Sequence, residues 1–178
     1  MFMHRYWLCL LSTLFFILPQ ADAAPGFETV NVVLYQPNSI LSQRVPTVQE
    51  LAGYINRLEG ACNDFFAADT APETLHVVVA VRPGKLSRIW FVSAGRAPGA
   101  VDLEPLRKNL EAIPPCDVHG GPIIFAISAN IAGGGDKKFA AGSHYQPPIP
   151  KEWQDAAKGK KDFTVSDEFL DLVWPAAP

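Results

Sequence analysis

The sequence lacks an excess of charge of either sign. Its 178 residues carry 15 basic and 18 acidic side chains, for a formal net charge of -3. The densest basic run, residues 158–161, is flanked by Asp155 and Asp162, which is typical of a solvated loop. Proteins that bind DNA or RNA present a basic patch that neutralises phosphates. We therefore expect no nucleic-acid partner.

Motifs that identify a reaction are also missing. No G-x-S-x-G elbow is present, and Ser93 fits the end of a strand better than a nucleophile turn. The glycines at 133–135 follow a strand, as in phosphate-binding loops, but no Lys-Ser/Thr pair comes after them. His76 lies among valines, which favours a structural histidine, whereas His119 and His144 have loop neighbours. We expect no catalytic residue and no cofactor.

Long apolar runs are scarce, and the longest covers residues 7–18. It is shorter than the roughly 20 residues that span a bilayer. A short basic start precedes it, and Ala21-Asp22-Ala23 has the small-x-small pattern of a signal-peptide cleavage site. Residues 1–23 are therefore predicted to be a signal peptide, with a retained anchor as the alternative. The mature protein is expected in the periplasm or secreted, without a membrane span.

Cysteines are few, and Cys9 falls inside the predicted signal peptide. Export to an oxidising compartment leaves Cys62 and Cys116, for which a single disulfide is the natural pairing. Closing that loop would stabilise the fold by roughly 4 kcal/mol in the chain-entropy model. The alternative is a metal site on Cys116 and His119. Two further ligands at suitable spacing are missing from the sequence, so no metal is expected.

The clearest helix signal begins at Thr47. Thr47 and Glu50 form a capping-box pattern, in which each side chain bonds a backbone amide of the first turn. An apolar stripe at three- and four-residue steps follows, and it consists of Val48, Leu51, Ile55, Leu58, Cys62 and Phe65. A second stripe, over residues 103–113, begins after the candidate cap Asp102 and stops at Pro114-Pro115. Each of these two helices is predicted to pack one face on a sheet.

Strand patterns occupy the segments around the helices. Residues 29–35 and 123–131 have strand composition, and residues 75–82 and 86–93 are joined by the Pro83-Gly84-Lys85 turn. This order predicts an α+β fold, in which an antiparallel three- to four-stranded sheet carries two helices packed on one face. It is also compatible with a split, ferredoxin-like arrangement.

The chain divides into three predicted parts. The signal peptide at 1–23 precedes an α+β domain at 24–135. Residues 136–178 are predicted to be a proline-rich tail with short helices, one at 151–158 and one after a possible cap at Thr164.

Several features of residues 75–132 follow a known order: a strand into a Pro-Gly turn (VVVAVRPGKL), a strand ending in Ser-Ala-Gly, a helix after an acidic residue (VDLEPLRKNL), a proline break (AIPP), and a strand after Gly-Gly-Pro. In this order the segment resembles the carboxy-terminal domain of the periplasmic TonB/TolA family. The resemblance implies an exported module that binds proteins by strand addition. The membrane anchor and long proline-rich spacer of the family's energy transducers have no clear counterpart here.

Four side chains are predicted to contact a partner: Arg88, Trp90, Trp153 and Trp174. Arginine and tryptophan are favoured as interface anchors. The alternative is that the aromatic residues fill both sheet faces and dock the tail on its own domain. The predicted function is non-catalytic binding of an envelope or secreted protein. A secreted enzyme or enzyme inhibitor is the alternative, with a site near the glycine-rich loop and the tail that gathers His119, His144 and a carboxylate.

Overall fold

The computed structural model describes residues 26–69, 71–94, 101–134, 148–159 and 165–175. Its elements are β1 (Phe27–Leu34), α1 (Asn38–Arg44), α2 (Val48–Phe66), β2 (Glu73–Arg82), β3 (Leu86–Ala94), α3 (Glu104–Ala112), β4 (Ile123–Ile131), α4 (Lys151–Ala156) and α5 (Asp167–Val173). The predicted signal peptide lies outside these residues. Within the described ranges, no helix is both long and apolar enough to cross a membrane.

The four strands form one open antiparallel sheet in the order β1-β4-β2-β3. Because β1 and β2 both run antiparallel to β4, they are parallel to each other and flank it. By the same reasoning, β3 and β4 are parallel and flank β2. Both helical connections are therefore split β-α-β units. The predicted α+β fold class is confirmed, and the two edges of the sheet are β1 and β3.

One face of the sheet packs against α2 and α3. The apolar side of α2 contributes Tyr54, Leu58 and Phe66 to this core, and α3 contributes Leu106 and Leu110. Alternate residues of β2, such as Val77 and Val79, point into the same core. This layer is the predicted pair of helices on one face.

The opposite face is covered by α4 and α5. Here Val78 and Ala80 of β2 pack with Trp90, Trp153 and Phe169 in a second buried cluster. A strand that is buried on both faces reads as a continuous apolar run rather than an alternating one, which explains the uninterrupted valines of β2. The described part of the predicted tail is therefore a third layer of the fold.

Cys62 and Cys116 are buried free thiols, so the predicted disulfide is not formed in the structure. Both side chains belong to the core on the α2 and α3 side of the sheet, where a thiol packs as a small apolar group. Burial is the main cause that raises the pKa of Cys62 to about 12 and that of Cys116 to about 11. Neither thiol has the depressed pKa of a reactive or metal-binding cysteine.

Candidate interaction surface

The structure brings three of the four predicted binding residues together, and two of them, Trp90 and Trp153, are buried inside the protein. The rings of Trp90 and Trp153 are 5.1 Å apart, and Trp153 lies 5.8 Å from Phe169 of α5. Trp153 is fully buried and Trp90 is 6% exposed. Trp174 packs at the margin of the same cluster, 6.5 Å from Trp90. These tryptophans dock the tail on its own domain, as the alternative interpretation predicted, so they do not form a surface patch.

Charged side chains hold the tail from outside this cluster. The guanidinium of Arg82 lies 4.4 Å from the centre of the Trp174 ring and 2.6 Å from the Asp171 carboxylate. Arg44 at the end of α1 makes a two-fold contact with Asp167 at the start of α5, at 2.8 and 2.7 Å. Contacts of this kind position a segment more than they stabilise it, because partly exposed ion pairs are worth little.

A buried polar pair joins the two central strands. Nδ1 of His76 lies 2.9 Å from the Ser128 hydroxyl, and both residues are 2% exposed. A serine next to a histidine is the arrangement that nucleophilic catalysis uses, but both of these side chains are buried, out of reach of solvent. Burial lowers the pKa of His76 to about 4, so its imidazole is neutral near pH 7. The pair occupies directly opposed positions of β2 and β4 and is best explained as a register contact.

The buried histidine predicts a specific dependence of stability on pH. The unfolded chain binds a proton at His76 below pH 6.5, whereas the folded chain binds it only near pH 4, so stability falls as the pH falls through this window. Between pH 7.5 and 4.5 we expect the wild-type protein to lose about 2.5 kcal/mol more unfolding free energy than His76→Gln. Urea denaturation at both pH values measures this difference. A wild-type slope in His76→Gln would refute the assignment.

The predicted enzyme site is only partly within the described residues. His144 and Gly135 lie outside them. His119 is exposed, and its backbone amide donates to the carbonyl of Arg44 at 3.0 Å. Gly134 packs so closely on β2 that an added Cβ would lie 2.2 Å from the amide nitrogen of Glu73. Gly134 thus lies where the turn after β4 packs on β2. Within the described ranges no three histidine, cysteine or acidic side chains gather as metal ligands.

The β3 edge of the sheet is covered. The backbone amide of Ile89 points outward and donates to Oε1 of Glu111, on α3, at 3.1 Å. Arg88, the remaining predicted binding residue, places its Nε 3.7 Å from the same carboxylate, and Arg107 lies 3.3 Å from it. Glu111 therefore occupies the outward amide of Ile89, and a helix and a charge network at an edge strand disfavour pairing at this point.

The β1 edge is open in the part of the chain that the structure describes. The amide of Tyr35 donates to the carbonyl of Ile124 in β4 at 3.1 Å. Because the amides of a strand alternate in direction, those of Val32 and Leu34 point away from β4. Residues 31–34 pair regularly with β4 after a bulge between Thr29 and Asn31. They contain no charge and no proline, the two features that most often protect an edge.

A groove of about 470 Å³ lies between α1 and the start of α2. Its apolar wall consists of Leu41, Val45, Val48 and Leu51. Val48 is 77% exposed at the rim, which is unusual for a large aliphatic side chain at the start of an otherwise well-packed helix. No lysine, arginine, aspartate or glutamate lines the groove. It is suited to apolar side chains.

Neither the open edge nor the groove was assigned from the sequence. The groove requires α1, which is not among the helices predicted from the sequence. Residues 38–44 have no side-chain cap and no acidic residue in the first turn. The edge requires the strand order. Val48 is the one residue of this surface that the sequence singled out. It begins the predicted apolar stripe of α2, yet it lies outside the core.

No protein-family model, no curated protein and no solved structure matches this chain. The resemblance to the TonB/TolA carboxy-terminal domain therefore stays a prediction that depends on the order of elements.

Proposed function

We propose that this chain is an exported protein-binding module, which accepts an extended segment of an envelope or secreted partner as a fifth strand beside β1. The observation that carries the proposal is the difference between the two edges. The β3 edge is occupied by Glu111 at the Ile89 amide. The second half of β1 is regular, uncharged and unpaired on its outer side among the described residues.

The chemistry of the β1 edge supports strand addition. The outward amides and carbonyls of Val32 and Leu34 are available for a ladder, and main-chain hydrogen bonds supply affinity in this mode of recognition. Val32, Val33 and Leu34 are each half-buried, so a neighbouring strand would cover apolar surface on both faces of the sheet. Cross-strand contacts between such side chains stabilise a pair of strands. Export itself depends on the predicted signal peptide at residues 1–23.

A proline on the outer side of β1 tests the proposal. The amide of Val32 makes no bond to β4, so Val32→Pro removes an outward donor while the bonds to β4 remain. Peptides would first be selected from a random displayed library on the wild-type chain, residues 24–178. We expect the selected peptides to bind Val32→Pro at least 10-fold more weakly than wild type, by titration calorimetry. Circular dichroism should show an unchanged fold.

Arg88→Ala on the opposite edge is the matched control. It changes the predicted binding residue that remains at the surface, and we expect it to leave peptide affinity within two-fold of wild type. The proposal fails if Val32→Pro binds as wild type does, or if Arg88→Ala alone abolishes binding. Failure of the wild-type chain to select any extended peptide would also contradict it.

A further inference from the structure

The groove lies at the same end of α2 as the end of the open edge, because β1 and α2 run in opposite directions. Phe27, at the start of β1, stacks on Phe66 at the end of α2, with ring centres 6.1 Å apart. Two residues later, the Thr29 hydroxyl donates to Glu59 at 2.7 Å. Progress along β1 therefore moves back along α2, toward the groove.

The lengths of the two elements agree. From Thr29 to Leu34 the strand rises roughly 16 Å, and from Glu59 back to Val48 the helix also rises roughly 16 Å. Phe125, directly opposite Leu34 in the sheet, contacts Tyr54 in the first half of α2. The end of β1 thus lies toward the end of α2 that forms the groove, on the α2 side of the sheet.

We propose, on the basis of the strand-addition function above, that this groove is the specificity pocket for the added strand. Its occupant is an extended segment of another protein that carries large aliphatic or aromatic side chains where it passes the end of β1. The backbone of the segment pairs with Val32 and Leu34. Its apolar side chains, directed to the α2 face, enter between Leu41, Val48 and Leu51. The volume of about 470 Å³ exceeds what one aliphatic side chain needs, so a short apolar run fits better than a single residue.

A second copy of the chain is a poorer occupant. Antiparallel pairing of two β1 strands along their full length places Phe27 of the copy opposite Leu34 and Glu28 opposite Val33. Phe27 is 2% exposed and already packed in its own core, so its side chain cannot also enter the groove of another copy. Glu28 would bring a carboxylate to the uncharged end of the edge, and desolvating that charge is unfavourable.

Val48 provides a test that preserves the helix. Val48→Asp places a carboxylate at the rim of the groove, and acidic residues are favourable in the first turn of a helix, so the fold is retained. Gln49→Asp makes the same charge change one residue later, at an exposed position that does not line the groove. The probes are the peptides selected on the wild-type chain. We expect Val48→Asp to weaken their binding at least 10-fold and Gln49→Asp less than two-fold.

The peptides themselves give a second readout. We expect Leu, Ile, Val, Met or Phe at one or two fixed positions, and at least a 10-fold loss of affinity when these are replaced with alanine. If Val32→Pro abolishes binding but Val48→Asp does not, strand addition stands and the pocket is refuted. If both variants bind as wild type does, the proposed function fails as well. Concentration-dependent dimers in sedimentation that Val32→Pro makes monomeric would identify a second copy as the occupant and overturn the inference.

Discussion

Replacing Trp153 with alanine is expected to lower the free energy of unfolding by about 4 kcal/mol. Trp153 is fully buried at the centre of the aromatic cluster, between Trp90 of β3 and Phe169 of α5. Its removal leaves a large cavity under both tail helices, α4 and α5. Denaturant unfolding followed by far-UV circular dichroism measures the change.

Two further variants serve as comparisons for the stability loss of Trp153→Ala. Trp153→Phe keeps an aromatic ring and removes an indole N–H that has no hydrogen-bond partner among the described residues, so it should cost less than half as much as alanine. Trp174→Ala, at the partly exposed margin, should cost about 1–2 kcal/mol. In Trp153→Ala, limited proteolysis should cleave first within residues 148–175. A Trp153→Ala protein as stable as wild type would show that the tail is not a layer of the fold.

Gly134→Ala is expected to be the second most damaging change, with a loss of about 3 kcal/mol. The new Cβ would lie 2.2 Å from the amide nitrogen of Glu73 and 2.7 Å from its carbonyl oxygen. Both atoms belong to the backbone, so no rotamer change can relieve the overlap and the turn must separate from β2. Thermal unfolding of the variant beside wild type measures the loss.

Gly60→Ala is the matched control for this substitution. Gly60 lies inside α2 and an added Cβ meets no atom within 4 Å, so alanine should raise stability by about 0.5–1 kcal/mol through helix propensity. If Gly134→Ala lowers the stability and Gly60→Ala raises it, close packing, and not a ligand-binding loop, explains the glycine at 134. A neutral Gly134→Ala would reopen a binding role for the glycine-rich segment.

The elements that the sequence predicted well carry local signals. Thr47 accepts the Glu50 amide at 3.1 Å, as half of the predicted capping box, and the hairpin turns at Gly84 and Lys85 with positive φ angles of 88° and 61°. The N-cap of α3 is Leu103, one residue after the predicted cap Asp102. The Asp102 carboxylate still accepts the Glu104 amide, at 3.0 Å.

The features that the sequence did not predict depend on distant partners. The tail is placed by Arg44 and Asp167, which are 123 residues apart. Its helix α5 is capped by Ser166, whose hydroxyl accepts the Phe169 amide. The predicted cap, Thr164, lies outside the described residues. Aromatic composition alone cannot distinguish an interface patch from a docked tail, so Trp90 and Trp153 were assigned to a binding surface that the structure places in the core.

The candidate site could be predicted from the sequence even less well than the position of the tail. Whether a strand is central or at an edge is decided by the strand order, and β1 has the composition of either. The predicted disulfide depends on export, which leaves Cys62 and Cys116 as a pair, yet two thiols can belong to one core without being joined. Residue types alone therefore predict the helices and strands of this fold better than they predict the contacts between these elements.

The measurement that tests the open β1 edge most directly is amide hydrogen exchange of residues 24–178 by NMR, without any partner. The account predicts fast exchange at Val32 and Leu34, whose amides point outward, and slow exchange at Tyr35, whose amide bonds to Ile124 at 3.1 Å. Slow exchange at all three amides in a monomeric protein would show that the edge is already covered by another part of the chain. That result would contradict both the proposed strand addition and the pocket beside it.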